Sequence, residues 1–228
     1  MQNTQSFFNI LISMRQNQFT QDDIWQYCLE HTSDLSDNLK QLCNYTCENI
    51  NGAQMLSEKI VTKLLQFFVF PTRAKVCVDV GTFTAMSAIA MAEASLDTKV
   101  YTIDRPNQAG EQLAKEFIAK YPNIEYCQGN AIDILPTLPN QIDIAFIDAD
   151  KKQTQEYFDI LVAKLADTGV IIVDDILWRG EVLDPQDKRS KALDNFNKYV
   201  NQRDDLETLV LPIRHGINII RKRIYKYR

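Results

Sequence analysis

Apolar residues fall into two kinds of run along this chain. Up to about residue 70 they recur at helical spacing, and beyond it short unbroken apolar runs alternate with helical stretches. Thr20, followed by Asp22 and Asp23, reads as a helix start, with Ile24, Tyr27, Cys28 and His31 repeating after it. Ser33–Asn49 predicts a second helix with Leu35, Leu39 and Leu42 on its apolar side, broken by Asn51-Gly52. Ala53–Phe70 predicts a third, with Met55, Ile60, Leu64, Leu65 and Phe68 inward and Pro71 as its stop. Residues 1–18 carry only weak signals. The helices should pack as a cap on the remainder of the chain, giving one domain across residues 1–228.

From Lys75 the pattern changes. Lys75–Val80, Lys99–Ile103, Ile124–Cys127, Ile142–Ile147 and Gly169–Val173 are short apolar runs of the kind that form buried parallel strands. Helical stretches separate them: Thr84–Ala94, Gln108–Tyr121, Ala131–Leu135 and Lys151–Ala166, with Ser190–Gln202 later in the chain. Leu206–Pro212 and Ile217–Arg221 are two more strands joined by Ile213–Gly216, and residues 174–188 read as a polar loop. Strict alternation predicts an α/β fold with a doubly wound, mostly parallel sheet, and the final hairpin adds an antiparallel strand.

Composition narrows the class. The 228 residues are enough for a full core, and the net charge of -5 argues against a general nucleic-acid binder. No apolar run approaches a membrane span, and the first residues lack the pattern of a secretory leader. Five cysteines without a CxxC pair fit buried free thiols in a reducing cytoplasm.

The chemistry concentrates between Ile142 and Gly180. Two strand runs end in acid, Asp148 with Asp150 and Asp174 with Asp175, and the helix between them makes a βαβ unit. Both strand ends open on one sheet edge, so Asp148, Asp174 and Asp175 should converge where open α/β sheets bind ligands. A single acid there reads as a helix cap. Crowded carboxylates instead suit a shared hard cation, Mg²⁺ first, with Ca²⁺ or Mn²⁺ as alternatives.

The first strand turn, Val78-Asp79-Val80-Gly81-Thr82-Phe83-Thr84-Ala85-Met86-Ser87, has one glycine where a dinucleotide fingerprint has three. A pyrophosphate cradle, and with it a nicotinamide oxidoreductase, is therefore disfavoured. A nucleoside without phosphates needs less: a close backbone approach at Gly81 and acids for its hydroxyls or amine. Asp79 sits near the strand end, Asp104 ends the next strand, and Gly129-Asn130-Ala131 comes after the third.

These marks resemble the class I S-adenosylmethionine methyltransferases, and within them the cation-dependent O-methyltransferases of the caffeoyl-CoA and catechol type. Phe146-Ile147-Asp148-Ala149-Asp150-Lys151 matches that family's F-[IV]-D-A-D-K, and Asp174-Asp175-Ile176-Leu177-Trp178-Arg179-Gly180 is similar to its D-N-x-L-W-x-G. Tyr27–Thr32 and Leu211–Gly216 resemble its Y-L-L-E-H-S and L-P-I-G-D-G segments, so the likeness runs from about Thr20 onward. The resemblance implies a Rossmann-like seven-stranded sheet, with S-adenosylmethionine contacted by Asp79, Gly81, Ser87, Asp104, Ala131 and Asp148. It implies a cation held by Asp148, Asp174 and Asp175, and Lys151 as general base. It further implies a catechol-like acceptor and a homodimer. The chain departs from the pattern at Asp79 for Glu, Ala85 for Gly, Asp175 for Asn and His215 for Asp. Those departures leave a non-catalytic cofactor binder open, and transfer without a metal is a further alternative.

Overall fold

The structure, a computed structural model, describes residues 21–223. The predicted helix start at Thr20, the weak segment 1–18 and residues 224–228 lie outside the described residues. Two compact units separate at Asp34 and Leu35. In the first, α1 (Gln21–Glu30) opens with Asp22 and Asp23 in its first turn.

The second unit holds the sheet. Its strands are β1 (Val76–Val80), β2 (Lys99–Asp104), β3 (Ile124–Gln128), β4 (Ile142–Ile147), β5 (Leu165–Asp174), β6 (Leu206–Leu211) and β7 (Ile217–Lys222), in the order β3-β2-β1-β4-β5-β7-β6. β7 runs antiparallel to both β5 and β6, and every other pairing is parallel. The chain thus winds outwards through β1, β2 and β3 before crossing to β4. The point between β1 and β4 is where the winding reverses, and doubly wound sheets place ligands there.

Side chains alternate across the sheet. Cys77, Ile144, Phe146 and Ile172 face one core with α2 (Asp37–Asn49), α3 (Lys59–Thr72), α4 (Met86–Ala94) and α5 (Glu111–Ile118). Val78, Val80, Ala145, Ile147 and Val173 face a second core with α6 (Ala131–Ile134), α7 (Thr154–Lys164) and α8 (Lys188–Asn201). Every residue of α4 from Met86 to Ala92 is buried, which explains its run of small and apolar residues.

Several boundaries differ from the sequence pattern. α2 starts at Asp37 instead of Ser33, because the Ser36 hydroxyl caps it by accepting the Leu39 N–H at 3.2 Å. The stretch Ala53–Phe70 is not one helix. A short 3₁₀ turn at Ala53–Met55 gives way to extended, buried Leu56, and α3 starts only at Lys59. Pro71 does not stop α3, which continues to Thr72 and ends at left-handed Arg73. β5 begins at Leu165 instead of Gly169, so the preceding helix is shorter than its apolar spacing predicts. The loop 174–188 contains a kinked 3₁₀ segment, Trp178–Leu183. All five cysteines are free, but only Cys77 is buried.

Candidate active site

Parallel register brings the strand ends together. Val80 pairs with Ile147, and Ile147 with Val173, so Gly81, Asp148 and Asp174 emerge side by side. Asp148 N–H donates to the Val80 carbonyl at 2.9 Å, and Gly81 N–H to the Ile103 carbonyl at 3.0 Å. The two backbones are so close that a Cβ on Gly81 would stand 2.2 Å from the Asp148 carbonyl oxygen, and Gly81 has φ 112°. Glycine is required there on both counts.

A cleft of about 770 Å³ opens above this edge, within the usual range for small-molecule sites. Gly81, Asp104, Ala131, Asp148, Lys151 and Asp175 line it. Asp79, Ser87 and Asp174 lie beneath its surface, each at most 3% exposed.

Asp79 is the deepest group. One carboxylate oxygen accepts the Thr102 hydroxyl at 2.6 Å, and the other is buried with no partner. The Thr82 hydroxyl lies 2.7 Å from that of Thr102 and completes the chain. Since Thr102 spends its proton on Asp79, Thr82 must donate to Thr102. Burial pushes the Asp79 carboxyl up to about 7, against the Thr102 hydrogen bond that lowers it. Its raised value means that the native state favours the neutral acid. That contribution to stability is complete below the ordinary carboxylate value near 3.8 and is lost as pH rises through about 7. Asp79→Asn is therefore expected to stabilise the ligand-free protein at pH 8, by on the order of 1–3 kcal/mol, and much less at pH 5. Thermal melts at the two pH values test this; equal effects at both would contradict the buried-acid reading.

Asp104 anchors the first turn. Its carboxylate accepts the Phe83 N–H at 2.9 Å and the Arg105 N–H at 2.8 Å, and its carbonyl accepts the Gly129 N–H at 2.9 Å. Asn130 caps α6 by accepting the Ile132 N–H at 3.4 Å, which sets Ala131 at the cleft wall. Ala85 occupies a left-handed position, φ 75°, where a glycine would be unstrained.

At the other end of the edge, Lys151 dominates. It is 8% exposed, and its ammonium lies 2.6 Å from Asp148 Oδ1 and 3.0 Å from Asp175 Oδ2. Burial would lower its pKa, but Asp148, Asp175 and Asp174 outweigh burial and hold it charged. Asp174 Oδ1 accepts the Asp175 N–H at 2.7 Å, while its buried Oδ2 has no partner. Burial, then Asp148 and Asp175, push the Asp174 carboxyl well above the usual range. Among the described residues no three acidic, histidine or cysteine side chains are grouped closely enough to hold a metal as they stand. The strand-end acids do meet at one edge, but an ammonium spans two of them. The donor set still suits a hard cation: three carboxyl groups face one lysine, and Asp174 Oδ2 has no hydrogen-bond donor.

Sequence reasoning did not single out several groups. Thr82 and Thr102 support Asp79 from below. Met55, Tyr157, Arg179 and Arg189 line the cleft, brought there by separate segments of the chain, and they are joined by Arg214 and by His215, already marked as a departure from the family pattern. His215 Nδ1 stands 3.9 Å from Asp175 Oδ1. Arg179 had a visible cue in its place beside Trp178 in the second acidic motif, as Arg214 and His215 had in the segment Leu211–Gly216.

This sheet order, with its antiparallel β7 and its site at the β1/β4 reversal, defines a methyltransferase fold of Rossmann-like type. The chain belongs to the O-methyltransferase family, whose model matches residues 29–223, and that membership makes it a methyltransferase. It is 27% identical over 224 residues to O-methyltransferase ankF of Aspergillus thermomutatus, covering 89% of this chain and 93% of the relative. It is 28% identical over 213 residues to probable caffeoyl-CoA O-methyltransferase 2 of Dictyostelium discoideum, covering 88% and 92%. In fold it is similar to the S-adenosylhomocysteine-bound methyltransferase PaMTH1 of Podospora anserina, with TM-score 0.83 at 21% identity, covering 92% of this chain and 97% of that one.

Proposed function

We propose that the protein transfers a methyl group from S-adenosylmethionine to one hydroxyl of a catechol-like vicinal diol, with a divalent cation, Mg²⁺ first, at the acidic edge. The observation that carries this reading is the pair of unsatisfied buried carboxylate oxygens, Asp79 Oδ1 and Asp174 Oδ2, at the two ends of one cleft. Burying an unpaired polar atom is costly, so each is a place prepared for a partner. At the first end the partner is cationic and nucleoside-sized. The Asp79 oxygen suits the donor's amine, directly or through water, and Asp104 with the Gly129–Ala131 turn suits its ribose and base. Relatives named as O-methyltransferases support the donor.

At the second end, Asp148, Asp174 and Asp175 would hold the cation. When bound, such an ion lowers the pKa of a diol hydroxyl and fixes its direction. Lys151 Nζ keeps its proton as long as it bridges Asp148 and Asp175, so it accepts the acceptor's proton only when that bridge is open. The bridge also favours a second reading, in which the ammonium itself neutralises the edge and transfer needs no metal.

Methyl transfer from labelled S-adenosylmethionine to a panel of catechols, with Mg²⁺ and then with EDTA, separates these. Turnover that EDTA abolishes and Mg²⁺ restores is the expected result. Turnover indifferent to EDTA establishes the second reading. No turnover on any diol, with the donor bound in a parallel titration, overturns the proposal.

A further inference from the structure

The loop that carries Asp175 is held by a residue that no motif marks. Asp175 has φ 63°, in the left-handed region that a residue with a side chain disfavours. Such strain persists only where the surroundings over-determine it. Three elements do so here. At the end of β5, Asp174 Oδ1 accepts the Asp175 N–H at 2.7 Å. In the turn between β6 and β7, the Gly216 carbonyl accepts the Ile176 N–H at 3.1 Å and the His215 carbonyl accepts the Leu177 N–H at 2.8 Å. That turn lies so close that a Cβ on Gly216 would stand 2.3 Å from Leu177 Cγ. From α8, Asn197 Nδ2 donates to the Ile176 carbonyl at 2.9 Å.

The third hold is a single side chain from an element 21 residues further on. Its amide oxygen, Oδ1, is buried and has no partner. An unpaired buried acceptor costs free energy, and a leucine of similar size would bury no polar atom there. Packing alone would therefore not retain an amide at this position. What the amide supplies, and leucine does not, is an N–H for the carbonyl of Ile176, a residue that is 0% exposed. α8 is itself anchored, with Leu193, Phe196 and Val200 buried. Ile176 is thus bonded at its N–H and at its C=O, to two different elements. That fixes the path of the chain as it leaves Asp175, whose Oδ2 stands 3.0 Å from the ammonium that also meets Asp148 at 2.6 Å.

We propose that Asn197 is a positioning residue for the cation site. By holding the Ile176 carbonyl it keeps Asp175 left-handed, with its carboxylate turned to the edge where Asp148 stands. This inference rests on the reading of that edge as the place of a divalent cation. The donor end is built separately, from Asp79, Gly81 and Asp104 at the ends of β1 and β2.

The test reads the two ends of the cleft independently, by equilibrium binding of Mn²⁺ and of S-adenosylhomocysteine. Asn197→Leu keeps the size and removes the donor, and Asn197→Ala removes the donor without adding bulk. Both should weaken Mn²⁺ binding about 10-fold or more, the scale of losses when the group behind a metal ligand is removed. Both should leave S-adenosylhomocysteine within about 2-fold, which also reports that each variant is folded. Val200→Ala, a cavity in the same helix, controls for lost stability. It should lower the melting temperature and leave Mn²⁺ within about 2-fold. Undiminished Mn²⁺ binding in either Asn197 variant overturns the inference. So does a parallel loss of both ligands, or an equal loss of Mn²⁺ in Val200→Ala. A wild type that binds S-adenosylhomocysteine but no Mn²⁺ overturns the cation reading and the inference with it. A loss of Mn²⁺ confined to the Asn197 variants, with no methyl transfer to any diol, sustains the inference while overturning the proposed reaction.

Discussion

Gly81→Ala is expected to abolish methyl transfer and to lower stability by about 3 kcal/mol or more. Two independent costs add at this position. The backbone sits at φ 112°, which a residue with a side chain rarely adopts, and the new Cβ would lie 2.2 Å from the Asp148 carbonyl oxygen. The obstacle is backbone and not a flexible side chain, so it yields only if β1 and β4 move apart. That movement breaks the hydrogen bond from Asp148 N–H to the Val80 carbonyl, 2.9 Å in the native fold. Gly81 therefore positions the first acid of the proposed cation site as well as the donor turn. Thermal melting and labelled methyl transfer on the same preparation check both effects. An active variant that melts within a few degrees of the wild type would show that the two strand ends are not so tightly apposed.

The second large effect falls at Asp148 itself. Asp148→Ala should reduce cation-dependent turnover by at least about 100-fold, on the scale of losses at metal sites, while the protein stays folded. Removing one member of a buried ion pair usually leaves a costly uncompensated charge. Here Lys151 keeps Asp175 at 3.0 Å, and Asp174 loses a repelling neighbour. Circular dichroism should thus report a native fold with little loss of stability. Turnover that survives the substitution, with cation present, would remove Asp148 from the chemistry and return Lys151 to a structural role.

How far the sequence foretells such a molecule depends on the range of the interactions involved. The strand runs and their terminal acids are local signals, and they place Asp148, Asp174 and Asp175 on one edge with the right neighbours. The single glycine of the first turn likewise points to a site without a pyrophosphate, and the structure gives Gly81 a backbone reason to be glycine. Contacts between distant segments leave no such trace. Nothing in the spacing of Lys151 says that its ammonium bridges Asp148 and Asp175, since a whole helix and strand separate Asp175 from it. Arg105 and Arg189 reach the same cleft from segments that carry no motif. Punctuation residues mislead where tertiary packing decides. Pro71 is tolerated in the last turn of α3, where the Thr72 hydroxyl bonds the Val69 carbonyl at 3.3 Å. The apolar spacing across Ala53–Phe70 hides a break, because Leu56 is buried in extended conformation.

The antiparallel strand has a consequence for the order of assembly. β7 is the last of the seven strands in chain order, yet it lies between β5 and β6. Until it is translated, β5 has one bare edge and β6 has no neighbour at all. Open strand edges invite wrong pairings, and long-range closure is slow. Asp174 ends β5 opposite Ile217, the first residue of β7. The acidic end of the cleft edge is thus completed only when the last described strand slots in, and a nascent chain arrested before Ile217 would have most of its cleft-lining residues but no stable place to put them.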